Sequence, residues 1–261
     1  MSVFAPINDD HAVESVSFSV IFDEPFGHTV FTAAQASHGL WRDELPAAQV
    51  GGLNSNDGSL ALAYSYLRPD GTPAWQLKFE GAVIEVSCRR YTRWAKVWQI
   101  ARRLLDQAGG VVAGAADMAS ASAARVRLQV VDKFTTAEAG YDASGLFQRD
   151  GGLLPRHLFD VGPLWHNNAG WFTSGPTGKI LNHLNVASSR QAEDGNIAVS
   201  LTHMQELRLQ TPLPVGNAAG LSSLLEKCMG DLHGHNKSLV VATVAPAIAE
   251  RISLIRTEQR A

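Results

Sequence analysis

The side chains of this sequence that could bind a metal ion or carry a proton are mainly histidines, and two of them are separated by a single residue. His233 and His235 lie in the stretch DLHGHNK (231–237). In a β-strand such residues share a face and could ligate one ion, whereas in an α-helix they point about 200° apart. Apolar residues repeat at helical spacing from Leu221 to Leu239. The pattern therefore predicts a helix with His235 on its buried face, His233 as a surface or interface residue, and no metal site.

A second group of polar side chains interrupts the apolar pattern of two segments that we expect to pair as a β-hairpin. The group consists of Asn182, His183, Asn185, His203 and Gln205. His203 and Gln205 stand on an otherwise apolar strand face, where polar residues line a pocket or interface or are hydrogen-bonded core residues. Whether His183 faces His203 depends on the register, which the sequence does not fix. We predict binding roles for His183, Asn185, His203 and Gln205, as well as for His233, and we assign no catalytic residue.

Aromatic residues are concentrated in the segment 135–178, which is irregular and rich in glycine and proline. Trp165 and Trp171 flank the sequence HNNAG, and such rings are enriched in surfaces that contact protein partners. We therefore predict that Trp165 and Trp171 bind a partner. Asp160, in the same segment, could instead complete a histidine–carboxylate site with the hairpin.

Motifs for common cofactors and nucleophiles are incomplete. The stretch SGPTGKI (174–180) is similar to a phosphate-binding loop, but that pattern needs glycine where Thr173 stands and a hydroxyl residue where Ile180 stands. No glycine-rich dinucleotide motif follows a predicted strand, and no nucleophile elbow of the form Gly-x-Ser-x-Gly is present. We therefore predict neither a cofactor nor a metal ion.

Composition restricts the class of protein and its partners. The 261 residues are 45% hydrophobic and carry a formal net charge of −3, so no global basic field favours nucleic acid as a partner. No apolar run reaches the length of about 18 residues that a membrane helix needs, and the first residues do not form a secretory signal. Cys88 and Cys228 lie in apolar periodic segments, which is typical of buried thiols. We expect a cytoplasmic protein.

The periodicity of the chain predicts an α+β fold, with an antiparallel sheet built from two β…ββα halves and helices packed against it. The halves are residues 1–108 and 125–261, which either form separate units or one continuous domain. Residues 109–124, rich in glycine, alanine and serine, are predicted to be a linker or loop.

Individual elements follow from the same patterns and their breaks. We predict helices at Thr29–Leu45, from Trp94 to Gly109-Gly110, and from near Leu221 past Ile252 with a break at Ala245-Pro246. Alternating segments predict three strands between residues 60 and 88, a strand from Arg125, and a hairpin that turns at Glu193-Asp194-Gly195.

Four short stretches resemble a sporadically distributed family of bacterial proteins of about this length. They are Ala12–Phe18, Tyr91–Trp94 (a Tyr-Thr-x-Trp motif), Arg125–Phe134 and LHGHNKSLVVATV from Leu232 (a Leu-His-x-x-Asn motif). In the third stretch, Val130 and Asp132 replace a tyrosine and an asparagine of the family pattern. The resemblance implies no activity. The patchy distribution of the family is compatible with an accessory or defence-system component in bacteria.

These observations favour a non-catalytic binding or regulatory module that acts through protein–protein contacts or self-association, and they leave room for a small-molecule ligand. The alternative is an intracellular hydrolase with a histidine–carboxylate or metal site on the second hairpin. That alternative requires His183, His203 and Asp160 to converge in one cleft.

Overall fold

A computed structural model describes residues 4–8, 10–51, 60–115, 118, 120–138, 140–175, 177–191 and 195–255. These residues form ten β-strands and four α-helices. The strands are β1 (Ala5–Pro6), β2 (Val13–Phe22), β3 (Ala47–Gly51), β4 (Ala61–Leu67), β5 (Pro73–Glu80), β6 (Val83–Cys88), β7 (Ser122–Thr136), β8 (Trp165–Gly175), β9 (Gly178–Arg190) and β10 (Ile197–Pro214). The helices are α1 (His28–Ala36), α2 (Trp94–Gly114), α3 (Ala218–Thr243) and α4 (Pro246–Arg251).

All ten strands belong to one antiparallel sheet, which confirms the predicted α+β class. Its order is β3-β4-β5-β6-β2-β7-β10-β9-β8, and β1 pairs with one end of β7. Strands of the N-terminal half meet those of the C-terminal half where β2 pairs with β7. A single sheet therefore runs through both predicted halves.

Alternating apolar residues of the central strands pack beneath the helices. Phe18 of β2 and Leu128 of β7 belong to a buried cluster that also contains residues of α1, α2 and the N-terminal part of α3. A second buried cluster lies beneath the C-terminal part of α3 and α4, and it includes Leu201 and Val240. The two-residue period of each strand thus places one set of side chains in the core and leaves the other set half-buried on the opposite face.

Helix α2 does not end at the glycine pair where the sequence predicted its end. The helix continues through Gly109 and Gly110 to Gly114, and β7 begins at Ser122, so most of the predicted linker 109–124 lies in regular structure. A Cβ atom on Gly109 would lie 2.9 Å from Cδ2 of Leu221 in α3. The glycine therefore serves close packing of two helices rather than a helix end.

Three other predictions of elements need correction. The helix predicted at Thr29–Leu45 ends at Ala36 and is followed by a short 3-10 turn. The segment predicted to be irregular contains β8, an edge strand. Most of its residues are polar or glycine, so the apolar alternation that indicates a strand is weak. The final helical region begins near Leu221 as predicted, at Ala218, where the side chain of Asn217 accepts a hydrogen bond from the backbone N–H of Gly220. It was predicted to run past Ile252, but α4 ends at Arg251.

Several other predictions are confirmed. The three strands between residues 60 and 88 form, β9 pairs with β10, and the last helix breaks at Ala245-Pro246. Residues Glu193 and Asp194 of the predicted hairpin turn lie outside the described residues. Cys88 and Cys228 are buried free thiols. Among the described helices, none has the length and apolar character needed to cross a membrane.

Candidate ligand cavity

The two histidines of DLHGHNK lie on a helix as predicted, but their predicted positions on that helix were wrong. His235 is exposed, whereas His233 is half-buried. The buried arc of α3 includes Met229, Asn236 and Val240. Successive residues of a helix are 100° apart, so His233 lies on the same side of α3 as these three residues, and His235 lies away from them.

His203 is buried as the interrupted strand pattern predicted, and it belongs to a line of polar side chains. Its Nδ1 lies 2.9 Å from Oδ1 of Asn236 in α3, and its Nε2 lies 3.4 Å from Oδ1 of Asn182 in β9. Asn182 in turn donates to the hydroxyl of Thr173 in β8 at 3.0 Å. The Trp171 ring lies nearly parallel to the His203 ring, with centroids 6.3 Å apart. Burial lowers the pKa of His203, which favours the neutral ring. In the tautomer that carries hydrogen on Nδ1, the shorter of the two contacts is a hydrogen bond donated to Asn236.

His183 and Asn185 do not join this line. The register of the hairpin pairs His183 with Met204 and Asn185 with Thr202, so both residues lie on the opposite face of the sheet from His203. His183 contacts the side-chain oxygen of Asn168 there.

The predicted histidine–carboxylate cluster therefore does not assemble. Asp160 is exposed and forms an ion pair with Arg149 at 2.7 Å. Among the described residues, no group of three or more His, Cys, Asp or Glu side chains is placed to hold a metal ion.

The predicted aromatic surface is largely buried. Trp165 is only 9% exposed and packs edge-on against Phe147, and Trp171 is half-buried. Phe172, which follows Trp171 in β8, is strongly exposed, at 70%. Gln205 is buried, and neither atom of its amide group has a hydrogen-bond partner among the described residues.

The feature best suited to bind a ligand is a cavity of about 200 Å³, which was not predicted from the sequence. It lies between the helix-covered face of β2 and β7, the start of α2, and the C-terminal part of α3. Residues from segments 11–16, 91–94, 130–132, 233–240 and 252–254 line it. We call it the Asp132 cavity.

Asp132 lies at the buried end of this cavity. It pairs with Val13 of β2 on one side and Leu201 of β10 on the other, and it is only 5% exposed. No hydrogen bond or ion pair joins its carboxyl group to another described residue, and neither oxygen is among the fully enclosed atoms that lack a partner, so the group faces the cavity. Desolvation raises the pKa of Asp132 to about 7, because a buried site destabilises the charged form.

Aromatic and polar side chains form the walls of the Asp132 cavity. The rings of His233 and Trp94 stack in parallel, with centroids 3.8 Å apart. Burial, with a smaller contribution from the charge of Lys237, lowers the pKa of His233 to about 4, so this ring is neutral. Burial, and secondarily the charge of Asp132, raises the pKa of Tyr91 to about 12, so its hydroxyl stays protonated. Asn236 connects the cavity to His203.

The opening of the cavity carries positive charge. Lys237 is exposed and has no ion-pair partner in the described part of the chain. Arg93 also lines the cavity and pairs with Asp10 at 2.5 Å. The buried end is therefore acidic and the opening basic.

Residues from segments 12–18, 91–94, 125–134 and 232–244 all contribute to this cavity. Val13 and Val16 come from the first, Tyr91 and Trp94 from the second, Val130 and Asp132 from the third, and His233 and Asn236 from the fourth. Of these residues, sequence reasoning singled out only His233 as a binding residue. Asp132 gave a usable signal, because it interrupts the apolar alternation of β7 in the way that His203 interrupts that of β10.

Comparisons with known proteins add little. No protein-family model and no curated protein matches the sequence. One solved structure, the di-domain ARO/CYC StfQ from the steffimycin biosynthetic pathway, is similar at 10% identity with a TM-score of 0.18. The similarity covers 84% of this chain and 95% of that one. It is too weak to indicate a shared fold.

Proposed function

We propose that the protein is a non-catalytic binding or regulatory module that holds a small ligand in the Asp132 cavity. The observation that carries this proposal is the Asp132 carboxyl group, which is buried, faces a cavity and has no partner among the described residues. Burying a carboxylate without a partner is strongly unfavourable. A ligand that donates a hydrogen bond or carries a positive charge would remove that penalty on binding.

The walls of the cavity suit such a ligand. The neutral His233 ring and the Trp94 indole offer a flat, weakly polar surface. The Tyr91 hydroxyl and the Asn236 amide offer hydrogen bonds that orient a bound molecule. An apolar cavity with a few convergent polar groups is the usual form of a small-molecule site.

Binding can be tested by saturation-transfer NMR with butylamine, butylguanidine, butyramide and 4-aminobutyrate as probes. We expect at least one probe to bind the wild-type protein and to lose most of its affinity for Asp132→Asn, which keeps the shape of the side chain but not its charge. Asp160→Asn, a matched change at an exposed ion pair, should leave binding unchanged. Equal binding by wild type and Asp132→Asn, or no binding of any probe, would refute the proposal.

A second candidate is an enzyme that uses Asp132 as a general acid or base. The observation that favours it is the raised pKa of Asp132, about 7, because a proton-transferring group is most effective when its pKa lies near the working pH. The two candidates differ in what becomes of the bound compound. Butyramide and butylguanidine are the two probes with a bond that water can cleave. Mass spectrometry after prolonged incubation should show both unchanged if the protein only binds. If it is a hydrolase, the expected products are butyrate and ammonia from the first, or butylamine and urea from the second.

We place this ligand site within the wider role expected from the sequence, an accessory or regulatory component that contacts another protein. The support for that role is the incomplete set of catalytic motifs, together with the exposed Phe172 on edge strand β8.

A further inference from the structure

The Asp132 cavity has opposite charges at its two ends. Asp132 at the buried end is acidic and unpaired in the described structure, whereas Lys237 at the opening is basic, exposed and likewise unpaired. Arg93 adds a second basic group at the opening, although Asp10 already partners it. This polarity restricts the class of ligand more narrowly than the carboxyl group alone.

The size of the cavity sets a second limit. Its volume is about 200 Å³, which is large enough for several water molecules. A ligand of the size of a small amino acid therefore fits inside. Asp132 and Lys237 both line this cavity, so one bound molecule can contact both.

We infer that the ligand is a small zwitterion, with a cationic nitrogen group that binds Asp132 and a carboxylate that lies near Lys237. This inference rests on the proposed binding function and specifies its ligand. A simple amine would satisfy Asp132 but would leave Lys237 without an anion. A simple carboxylate would suit the opening but would bring a second negative charge toward Asp132, which is unfavourable at short distance.

The inference can be tested with positional isomers that differ only in the separation of their charges. Binding of 2-, 3- and 4-aminobutyrate would be compared with that of butylamine and butyrate, which each carry one of the two groups. We expect at least one isomer to bind more tightly than either single-charge compound. The isomer that binds best reports the distance between the two charge sites.

Lys237→Met should weaken binding of the best isomer roughly three- to tenfold, the range of a partly exposed charge-assisted contact, and should leave butylamine unaffected. Lys227→Met provides a matched control, because Lys227 is exposed on the same helix and does not line the cavity. Asp132→Asn should weaken binding of both the isomer and butylamine.

The possible failures are distinguishable. If butylamine binds as tightly as every isomer, or if Lys237→Met has no effect, the zwitterion is wrong while Asp132-dependent binding stands. If neither the isomers nor any other probe shows a dependence on Asp132, the binding function is wrong as well.

Discussion

At the scale of single residues, Asp132 has the strongest consequences. It shares a strand face with Val126, Leu128 and Val130, so its ionised form has lost most of the water that would solvate it. A free aspartate has a pKa of 3.8, and burial raises the pKa of Asp132 to about 7. Between these values the folded state binds more protons than the unfolded state, so the free energy of unfolding falls as the pH rises from 4 to 7.

Replacing this carboxyl group should therefore stabilise the protein at alkaline pH. At pH 8 we expect Asp132→Asn to raise the free energy of unfolding by about 2–4 kcal/mol, because three pKa units correspond to roughly 4 kcal/mol. At pH 4 the two proteins should be nearly equally stable. Urea unfolding at both pH values measures the difference. Asp160→Asn should change stability by less than about 0.5 kcal/mol at either pH, and a destabilised Asp132→Asn at pH 8 would contradict the burial of an unpaired charge.

His233 should resist protonation. Burial lowers its pKa to about 4 from an ordinary value of 6.5, so the stability that its neutral form contributes is present above pH 6.5 and is lost as the pH falls toward 4. We expect the ring signals of His233, assigned by their absence in His233→Gln, to titrate near pH 4 in an NMR experiment. A midpoint close to 6.5 would show that the ring is solvated rather than stacked on Trp94.

A polar residue that interrupts a long apolar alternation was correctly placed on the buried strand face, as at His203 and Gln205, and the binding roles of these two residues stay predictions. The predicted exposure of His233 was wrong. A rotation of the buried side of a helix by less than 100°, the angle between successive residues, is enough to decide which residues are covered. Asp132 carried the same signal as His203, but only one apolar residue, Phe134, follows it on its strand face before the strand ends. The hydrogen bond between Asn236 and His203 joins residues 33 apart, which no local pattern indicates.

At the scale of secondary-structure elements, that hydrogen bond ties α3 to β10. Asn236→Ala would leave the buried Nδ1–H of His203 without its acceptor. We expect the free energy of unfolding to fall by about 1–3 kcal/mol, the penalty for an unsatisfied buried donor. Asn185→Ala, the same change on the opposite face of the sheet, should have an effect of less than about 0.5 kcal/mol. Equal effects of the two variants in urea unfolding would argue against the bond.

The pairing between the start of β9 and β10 depends on a glycine. Gly178 has φ of +154°, and a Cβ atom there would lie 2.0 Å from the backbone oxygen of Arg208. Gly178→Ala must therefore separate the two strands, and we expect it to lower the free energy of unfolding by more than about 2 kcal/mol. At Gly170 in β8 the nearest atom to a new Cβ lies 3.7 Å away, so Gly170→Ala should be nearly neutral. Similar thermal stability of both variants would contradict this register.

Elements with strong periodicity were predictable, and elements fixed by tertiary contacts were not. Strands β4, β5, β6, β9 and β10 show clear alternation and were predicted from it. Edge strand β8 has one half-covered face and polar or glycine residues along much of its length, so its sequence is close to that of a loop. Helix α2 continues through a glycine pair because α3 packs against it at Gly109. No short stretch of sequence indicates that contact.

At the scale of the whole molecule, the pairing of β2 with β7 creates the cavity. Val13 and Trp94 come from the N-terminal half, and Asp132 and His233 come from the C-terminal half. The cavity therefore exists only when both halves share the sheet. Sequence reasoning predicted the two halves but could not bring together segments up to about 240 residues apart, because strand order is set by long-range packing rather than by local pattern.

The most direct test of the proposed site is the titration of the Asp132 carboxyl carbon by ¹³C NMR, with the signal identified by its loss in Asp132→Asn. Spectra would be recorded with and without a mixture of butylamine and 2-, 3- and 4-aminobutyrate, so that both a simple amine and the zwitterions are present. We predict a pKa of about 7 for Asp132 in the free protein and a lower pKa when the mixture is present, because a bound cation stabilises the carboxylate. A pKa near 3.8 in the free protein, or a pKa that the mixture does not change, would contradict the assignment of Asp132 as the ligand-binding group.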